Sequence, residues 1–333
     1  MSRQEILTYL KESGGFVSGE ELSRRLCLSR AAVWKAVDSL RKAGYTIEAR
    51  TGLGYRLTET PDALTEREIG DRLGSTRLVG CRLVCLETVD STNTYAKRIA
   101  LEGAADGTVV TADCQTGGRG RLGRSFLSPA GKGVYLTALL RPPLPPASLL
   151  PVTALCAVAV CDAVEEVCGL RPGIKWTNDL VLGGKKLCGI LTELSLEGET
   201  GRLQYLVIGA GVNVHHTRED FTPDVAEMAT SLDMETGRSI SRPALAAAEI
   251  RALDRLYQAL LSGDLTDWLS AYRRDCVTLG RTVQILSPQG GRAVVEALDV
   301  DDQFGLVVRR PDGSVDVIRS GEVSVRGMYG YVE

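Results

Sequence analysis

The chain has 333 residues, 44% of them apolar, with a formal net charge of -3, which is enough material for two or three domains with real cores. No basic flank precedes an apolar stretch at the N-terminus, and no segment approaches about 18 uninterrupted apolar residues, so a cytoplasmic protein with no membrane partner is expected. Nine scattered cysteines without a paired CxxC, and only the adjacent His215 and His216, point to free, mostly buried thiols and away from disulfides or a zinc site.

Charge is uneven. Residues 1–60 hold ten Lys/Arg against seven Asp/Glu, and the remainder holds 29 against 35, a basic head on an acidic body that suggests a local anionic partner. In this head, Ile6, Leu7 and Leu10 form an apolar stripe, Ser18 reads as the cap of a short helix ending near Leu26, and Ser29 as the cap of a second that Gly44 stops. Two short helices around a tight turn make a helix-turn-helix. Tyr45 to Leu57, turning at Gly52 and Gly54, adds two strands as a wing. DNA contact is expected from Ser29, Arg30, Trp34 and Lys35 at the start of the second helix and from Arg50 and Arg56 flanking the wing. A winged helix used only for protein contacts is the alternative.

Thr58 to Asp62 reads as a linker, and residues 61–275 as one α/β domain. Strands are predicted at 82–87, 108–112, 133–140, 173–175, 186–193 and 203–214, and helices from Ser91, at about 147–168, near 242–261 and at 265–275. Pro142, Pro143, Pro145 and Pro146 read as a rigid connector. Residues 276–333 carry short β runs broken by Gly290-Gly291, Asp301-Asp302 and Pro311-Asp312-Gly313, which suggests a small barrel.

The chemistry concentrates in a few stretches. QTGGRGRLGR, Gln115 to Arg124, lies between two predicted core strands, and no acidic residue occurs between Asp113 and Asp162. Glycines let backbone N–H groups approach an anion there, although an ordinary flexible loop fits the same residues. Neither the GxxxxGK[ST] spacing nor a helix-opening GxGxxG is present. Asp90-Ser91-Thr92-Asn93 and Lys175-Trp176-Thr177-Asn178-Asp179 read equally as a helix cap and a solvated turn.

DSTN, GRGRLGR, KWTNDL, KKLCGIL and IGAGVNV in this order resemble the biotin-protein ligases. With the winged helix in front and the small barrel behind, the whole chain is similar to the bifunctional branch that also represses the biotin operon. The resemblance implies an α+β multidomain fold: a winged helix-turn-helix at 1–60, a class II synthetase-like mixed α/β catalytic domain at 61–275 and an SH3-like β-barrel at 276–333. It departs in one place, having Thr177 where the family often has proline.

The implied reaction joins biotin and ATP into biotinyl-5'-AMP and pyrophosphate, then passes biotin to a lysine of a biotin carboxyl carrier protein, the biotinyl domain of acetyl-CoA or pyruvate carboxylase. Lys186, Arg119, Arg121 and Asp179 match catalytic positions. The resemblance places biotin against Ser91, Thr92, Asn93 and Gln115, with Arg119, Gly120, Arg121, Lys186, Gly189, Gly209 and Gly211 completing its site. It places the adenylate against Arg119, Arg121, Lys175, Trp176, Asn178, Lys186 and Asn213, and Mg²⁺ on Asp179, with Asn213 a weaker candidate. Arg124 has no assigned role. The adenylate would also act as corepressor, favouring a homodimer on operator DNA. A lipoate or octanoate ligase, and a ligand-responsive repressor without turnover, are the rival readings.

Overall fold

Ser18 and Ser29 each accept a hydrogen bond from a backbone N–H three residues on, Glu21 at 3.0 Å and Ala32 at 3.1 Å, closing otherwise unpaired donors at two helix starts. In the computed structural model, which describes residues 2–286, 292–319 and 322–325, these caps open α2 (Gly19–Arg25) and α3 (Arg30–Lys42), behind α1 (Ser2–Ser13). Leu7, Leu10, Leu22, Val33, Val37 and Leu40 form their shared core. Strands β1 (Thr46–Arg50) and β2 (Gly54–Glu59) pair antiparallel as the wing. Gly54, at φ +104°, is pressed so close to Val17 that a Cβ would lie 2.0 Å from its carbonyl oxygen. The strand takes Thr58 and Glu59 out of the expected linker, and this compact unit ends at Asp62.

The second unit begins with a helix the sequence reading lacks, α4 (Glu66–Leu73), capped by Thr65 on the Glu68 N–H at 3.1 Å. Next come β3 (Arg82–Val89), α5 (Thr92–Leu101), β4 (Thr108–Gln115), β5 (Gly133–Leu140), α6 (Val152–Cys168), β6 (Gly173–Lys175) and β7 (Asp179–Leu182). Then β8 (Lys185–Leu196), β9 (Leu203–Asn213), α7 (Pro223–Ala226), α8 (Leu232–Thr236), α9 (Arg242–Ser262) and α10 (Thr266–Asp275) follow. The seven strands form one mixed sheet, ordered β3-β4-β5-β9-β8-β7-β6, with only β3–β4 parallel.

Strand periodicity assigns the faces. Leu136 and Ala138 of β5 and Ile208, Ala210 and Val212 of β9 join the core made with α6 and α9, while Leu139, Tyr205 and Val207 pack with α5 on the opposite side. Thr137, Gly209 and Gly211 alternate with the first set and so share the α5 side, which α5 covers only in part. The stretch Pro146–Cys168 is long and apolar enough to cross a membrane, yet most of it is buried within the protein, as the main core helix. Buried with it is Glu249 of α9, 0% exposed, whose two carboxylate oxygens have no hydrogen-bond partner among the described residues.

The C-terminal strands β10 (Thr282–Leu286), β11 (Arg292–Val300), β12 (Leu306–Arg309), β13 (Val315–Ile318) and β14 (Glu322–Val325) form an antiparallel sheet ordered β13-β12-β11-β10-β14. The Gly290-Gly291 break lies outside the described residues. Val283, Val295, Val300 and Phe304 belong to the same core as Ile174, Trp176 and Tyr272, so the expected boundary near residue 276 divides elements that share one interior.

Candidate active site

The ribbon between β4 and β5 folds as a narrow hairpin. The Phe126 N–H donates to the Gly118 carbonyl at 2.9 Å and the Gly120 N–H to the Arg124 carbonyl at 2.7 Å. A Cβ on Gly118 would lie 2.3 Å from the Phe126 carbonyl oxygen, so the close crossing of the two arms requires glycine.

At the hairpin tip Arg121 donates to Asn178 Oδ1 at 2.9 Å, and Asn178 Nδ2 donates to Asp179 Oδ1 at 3.1 Å. Asp179 Oδ1 in turn pairs with Lys186 Nζ at 2.8 Å. Three separate sequence motifs thus meet in one continuous polar chain. Lys186 is fixed at its backbone too, its N–H donating to the Met228 carbonyl at 2.7 Å and its carbonyl accepting from Thr230 at 2.9 Å.

Lys186 also lines a cavity of about 450 Å³, together with Arg124, Phe126, Asn213, Phe221 and Met228. Arg124 therefore has a place at the site. Phe221 is backed by the buried ring of His216, stacked at 5.2 Å and 10°. Burial pushes that imidazole down to about 4, so it is neutral near pH 7.

A smaller hollow of about 30 Å³ is lined by Ser91, Thr92, Gln115, Arg119, Gly189, Gly209 and Gly211, with Phe126 between it and the large cavity. Ser91 is 3% exposed and, despite starting α5, makes no side-chain cap bond. The Phe126 ring lies against Gly211, where a Cβ would be 2.7 Å away, and Asn93 Oδ1 against Gly209, at 2.0 Å. These glycines make room for the protein's own Phe126 and Asn93, whereas the sequence reading had reserved that space for a ligand. Burial works to raise the Glu193 carboxyl beside Asn93, but hydrogen bonds from Lys97 and Asn93 hold it below its usual range.

Trp176 lies elsewhere. It is buried, with its indole N–H donating to the Phe304 carbonyl at 3.1 Å and its backbone N–H to Thr278 Oγ1 at 3.0 Å, so it ties the Asn178–Asp179 turn to the C-terminal sheet. Lys175 is buried in β6, opposite Asp179 in the register.

Residues 85–213 match the model of the biotin/lipoate A/B protein ligase family, and residues 2–56 match a helix-turn-helix domain. The bifunctional ligase/repressor BirA of Bacillus subtilis is 34% identical over 313 residues, which cover 93% of this chain and 95% of that protein. The Escherichia coli BirA is 31% identical over 96% of both. This chain belongs to the bifunctional biotin ligase/repressor family. Among solved structures, the Aquifex aeolicus biotin protein ligase in complex with biotin and ATP is 28% identical, with a TM-score of 0.63 over 74% of this chain and 99% of that one.

For a ligase/repressor of this family the sequence reading missed Phe126, Phe221 and Met228 as cavity walls. Phe126 closes the GRGRLGR stretch and was within reach of the motif, but residues 217–229 carry no pattern that announces a wall. In the winged helix, Trp34 and Lys35 are exposed on α3, and the Ser29 hydroxyl oxygen accepts the Ala32 N–H as a helix cap. Arg30 pairs with Glu20 at 3.0 Å. Arg50 and Arg56 both pair with Glu48, at 2.6 and 2.7 Å, and both lie over the Phe16 ring. Hydrogen bonds from Arg50, then Arg56, hold the Glu48 carboxyl below its usual range.

Proposed function

We propose that this chain is an ATP-dependent biotin-protein ligase that forms biotinyl-5'-AMP, passes biotin to a carboxylase carrier lysine, and represses transcription through its winged helix. The observation that carries the site assignment is the Arg121–Asn178–Asp179–Lys186 chain, which ends at the wall of the large cavity. The reaction brings a carboxylate against a polyphosphate, and their repulsion is its first obstacle. Lys186 meets it with an ammonium at the cavity wall, which stabilises charge growing on the α-phosphate. Arg119 lines the small hollow and Arg121 the hairpin tip, so closing the hairpin brings both toward the phosphate and excludes water from the mixed anhydride.

The ureido ring belongs in the small hollow, with the buried Ser91 hydroxyl as a contact. The purine belongs in the large cavity against Phe221. At about 30 Å³ the hollow is too small for a bicycle, so Phe126 must move as biotin enters. Mg²⁺ brought by ATP would be held by the single carboxylate of Asp179, since such ions take only one or two protein carboxylates, and would supply further neutralisation of the phosphates. We read the C-terminal sheet as SH3-like, the winged helix, catalytic region and C-terminal sheet as three functional domains, and the cytoplasm as the compartment.

Arg121→Gly tests the hairpin. The variant is expected to keep pyrophosphate release within about tenfold of wild type and to leak free biotinyl-5'-AMP, detected by chromatography. Adenylate that stays bound would contradict a lid role.

For repression, Ser29, Arg30, Trp34, Lys35, Arg50 and Arg56 form the DNA face, the paired arginines exchanging Glu20 and Glu48 for phosphates. Lys35→Ala is expected to weaken duplex binding and to flatten log K against log salt by about 0.9; an unchanged slope would remove Lys35 from the face. The adenylate orders the 115–124 hairpin and favours a two-fold dimer that presents two winged helices. Sedimentation with and without biotin plus ATP checks this, and an unchanged monomer–dimer balance would refute it.

A further inference from the structure

Antiparallel pairing sets Glu48 of β1 directly opposite Arg56 of β2, and Arg50, two residues along β1, falls on the same face of the ribbon. One carboxylate and two guanidiniums therefore meet on one side of the wing. Glu48 spends both oxygens on them, Oε1 accepting from Arg50 Nε at 2.6 Å and Oε2 from Arg56 Nη2 at 2.7 Å. A carboxylate that bridges two arginines in this way has the bonding pattern of a backbone phosphate.

Phe16 supplies the floor. The Arg50 and Arg56 guanidinium carbons lie 5.2 and 4.7 Å from its ring centroid, within cation–π range. The ring is tied to the wing, because its neighbour Val17 exchanges two backbone hydrogen bonds of 2.8 Å with Tyr55. The ring and the strand register thus place both arginines without help from the carboxylate. What Glu48 adds is charge, since it is ionised near pH 7 and cancels one of the two positive charges beside it. Its side chain is 30% exposed, against 57% for Arg50 and 38% for Arg56, so it lies deeper than the groups that a phosphate would meet first.

We infer that Glu48 is a built-in counter-ion that restrains the grip of the wing on duplex DNA, occupying Arg50 and Arg56 as a phosphate would, with Phe16 as the positioning residue that holds both arginines ready when a phosphate takes its place. The inference rests on the DNA-binding reading and extends it. It fixes a sign: taking this acid off the wing tightens DNA binding. Exposed ion pairs contribute little to stability, so the wing keeps its fold without this one. Sequence-independent binding consists of phosphate contacts, and there the restraint shows most directly.

The test uses the full chain with biotin and ATP, titrated against a mixed-sequence DNA duplex over a range of salt. Glu48→Gln is expected to bind about five- to tenfold tighter at about 0.1 M salt and to steepen log K against log salt by about 0.9, the effect of one freed positive charge. Glu59→Gln removes the same charge at the other end of the wing, where the carboxylate accepts from Thr46 at 3.0 Å, and should change binding by less than about twofold. Adding Phe16→Leu to Glu48→Gln should lose most of the gain, whereas Phe16→Tyr, which keeps a ring under the arginines, should retain it. If Phe16→Leu folds poorly in a melting scan, the Glu48 and Glu59 variants still decide. A Glu48→Gln variant that binds no tighter than wild type, a Glu59→Gln variant that matches it, or a gain that survives a folded Phe16→Leu would overturn the inference. Wild type that binds no duplex at low salt would instead sink the DNA-binding reading itself.

Discussion

Lys186→Ala is expected to lower the single-turnover rate of biotin-dependent pyrophosphate release about 10²- to 10³-fold, the loss seen when one donor to a developing oxyanion is removed. The argument starts from the repulsion between carboxylate and α-phosphate, on the order of 4 kcal/mol for unit charges about 4 Å apart near a protein surface. Lys186 reaches the cavity from a strand position whose N–H and carbonyl are both bonded, to Met228 and Thr230. Those bonds survive the substitution, so the fold should too. Asp179 loses its 2.8 Å partner but keeps Asn178, so the turn stays in place and the loss is one of charge. Lys186→Arg should recover only part of the rate, because a planar guanidinium does not present a compact point charge at the same spot. A loss below about tenfold, or one that tracks a falling melting temperature, would remove Lys186 from the chemistry.

What was legible in the sequence follows the range of the forces that fixed it. Helix ends set by local hydrogen bonds were readable, as Ser18, Ser29 and Gly44 show. The Thr65-x-x-Glu68 signature of α4 was equally local and should have been read. Strand β7 was not readable as a strand, because the Asn178–Asp179 start looks like a turn until β8 pairs with it. The site residues came into view through the resemblance, yet their geometry did not. Asn93 matches a ligand-contacting position but spends its amide on Leu191, Glu193 and Thr137, partners 44 to 100 residues away. Trp176 sits within a catalytic motif and serves the packing of the C-terminal sheet. Such choices depend on long-range register, which no single stretch of chain encodes.

Glu249 shows the same limit in the core and carries the second large effect. It follows three alanines on α9, and nothing local marks it as buried, yet it is 0% exposed with both oxygens unpartnered among the described residues. Burial raises its pKa well above the usual carboxylate range, so the folded protein holds the proton while the unfolded chain releases it. Stability associated with this group is therefore fully present below about pH 4.3 and declines by about 1.4 kcal/mol per pH unit above it, until the folded pKa is reached. Glu249→Leu abolishes that slope and fills the space with apolar atoms. It should be several kcal/mol more stable than wild type at pH 8, with a gap that shrinks steadily as pH falls toward 5. Glu249→Gln separates the two contributions, since it removes the titration but keeps a buried polar amide. Urea unfolding at pH 5, 6.5 and 8 measures all three proteins, and a wild-type-minus-Leu difference that does not change with pH would show that Glu249 is not protonated in the core.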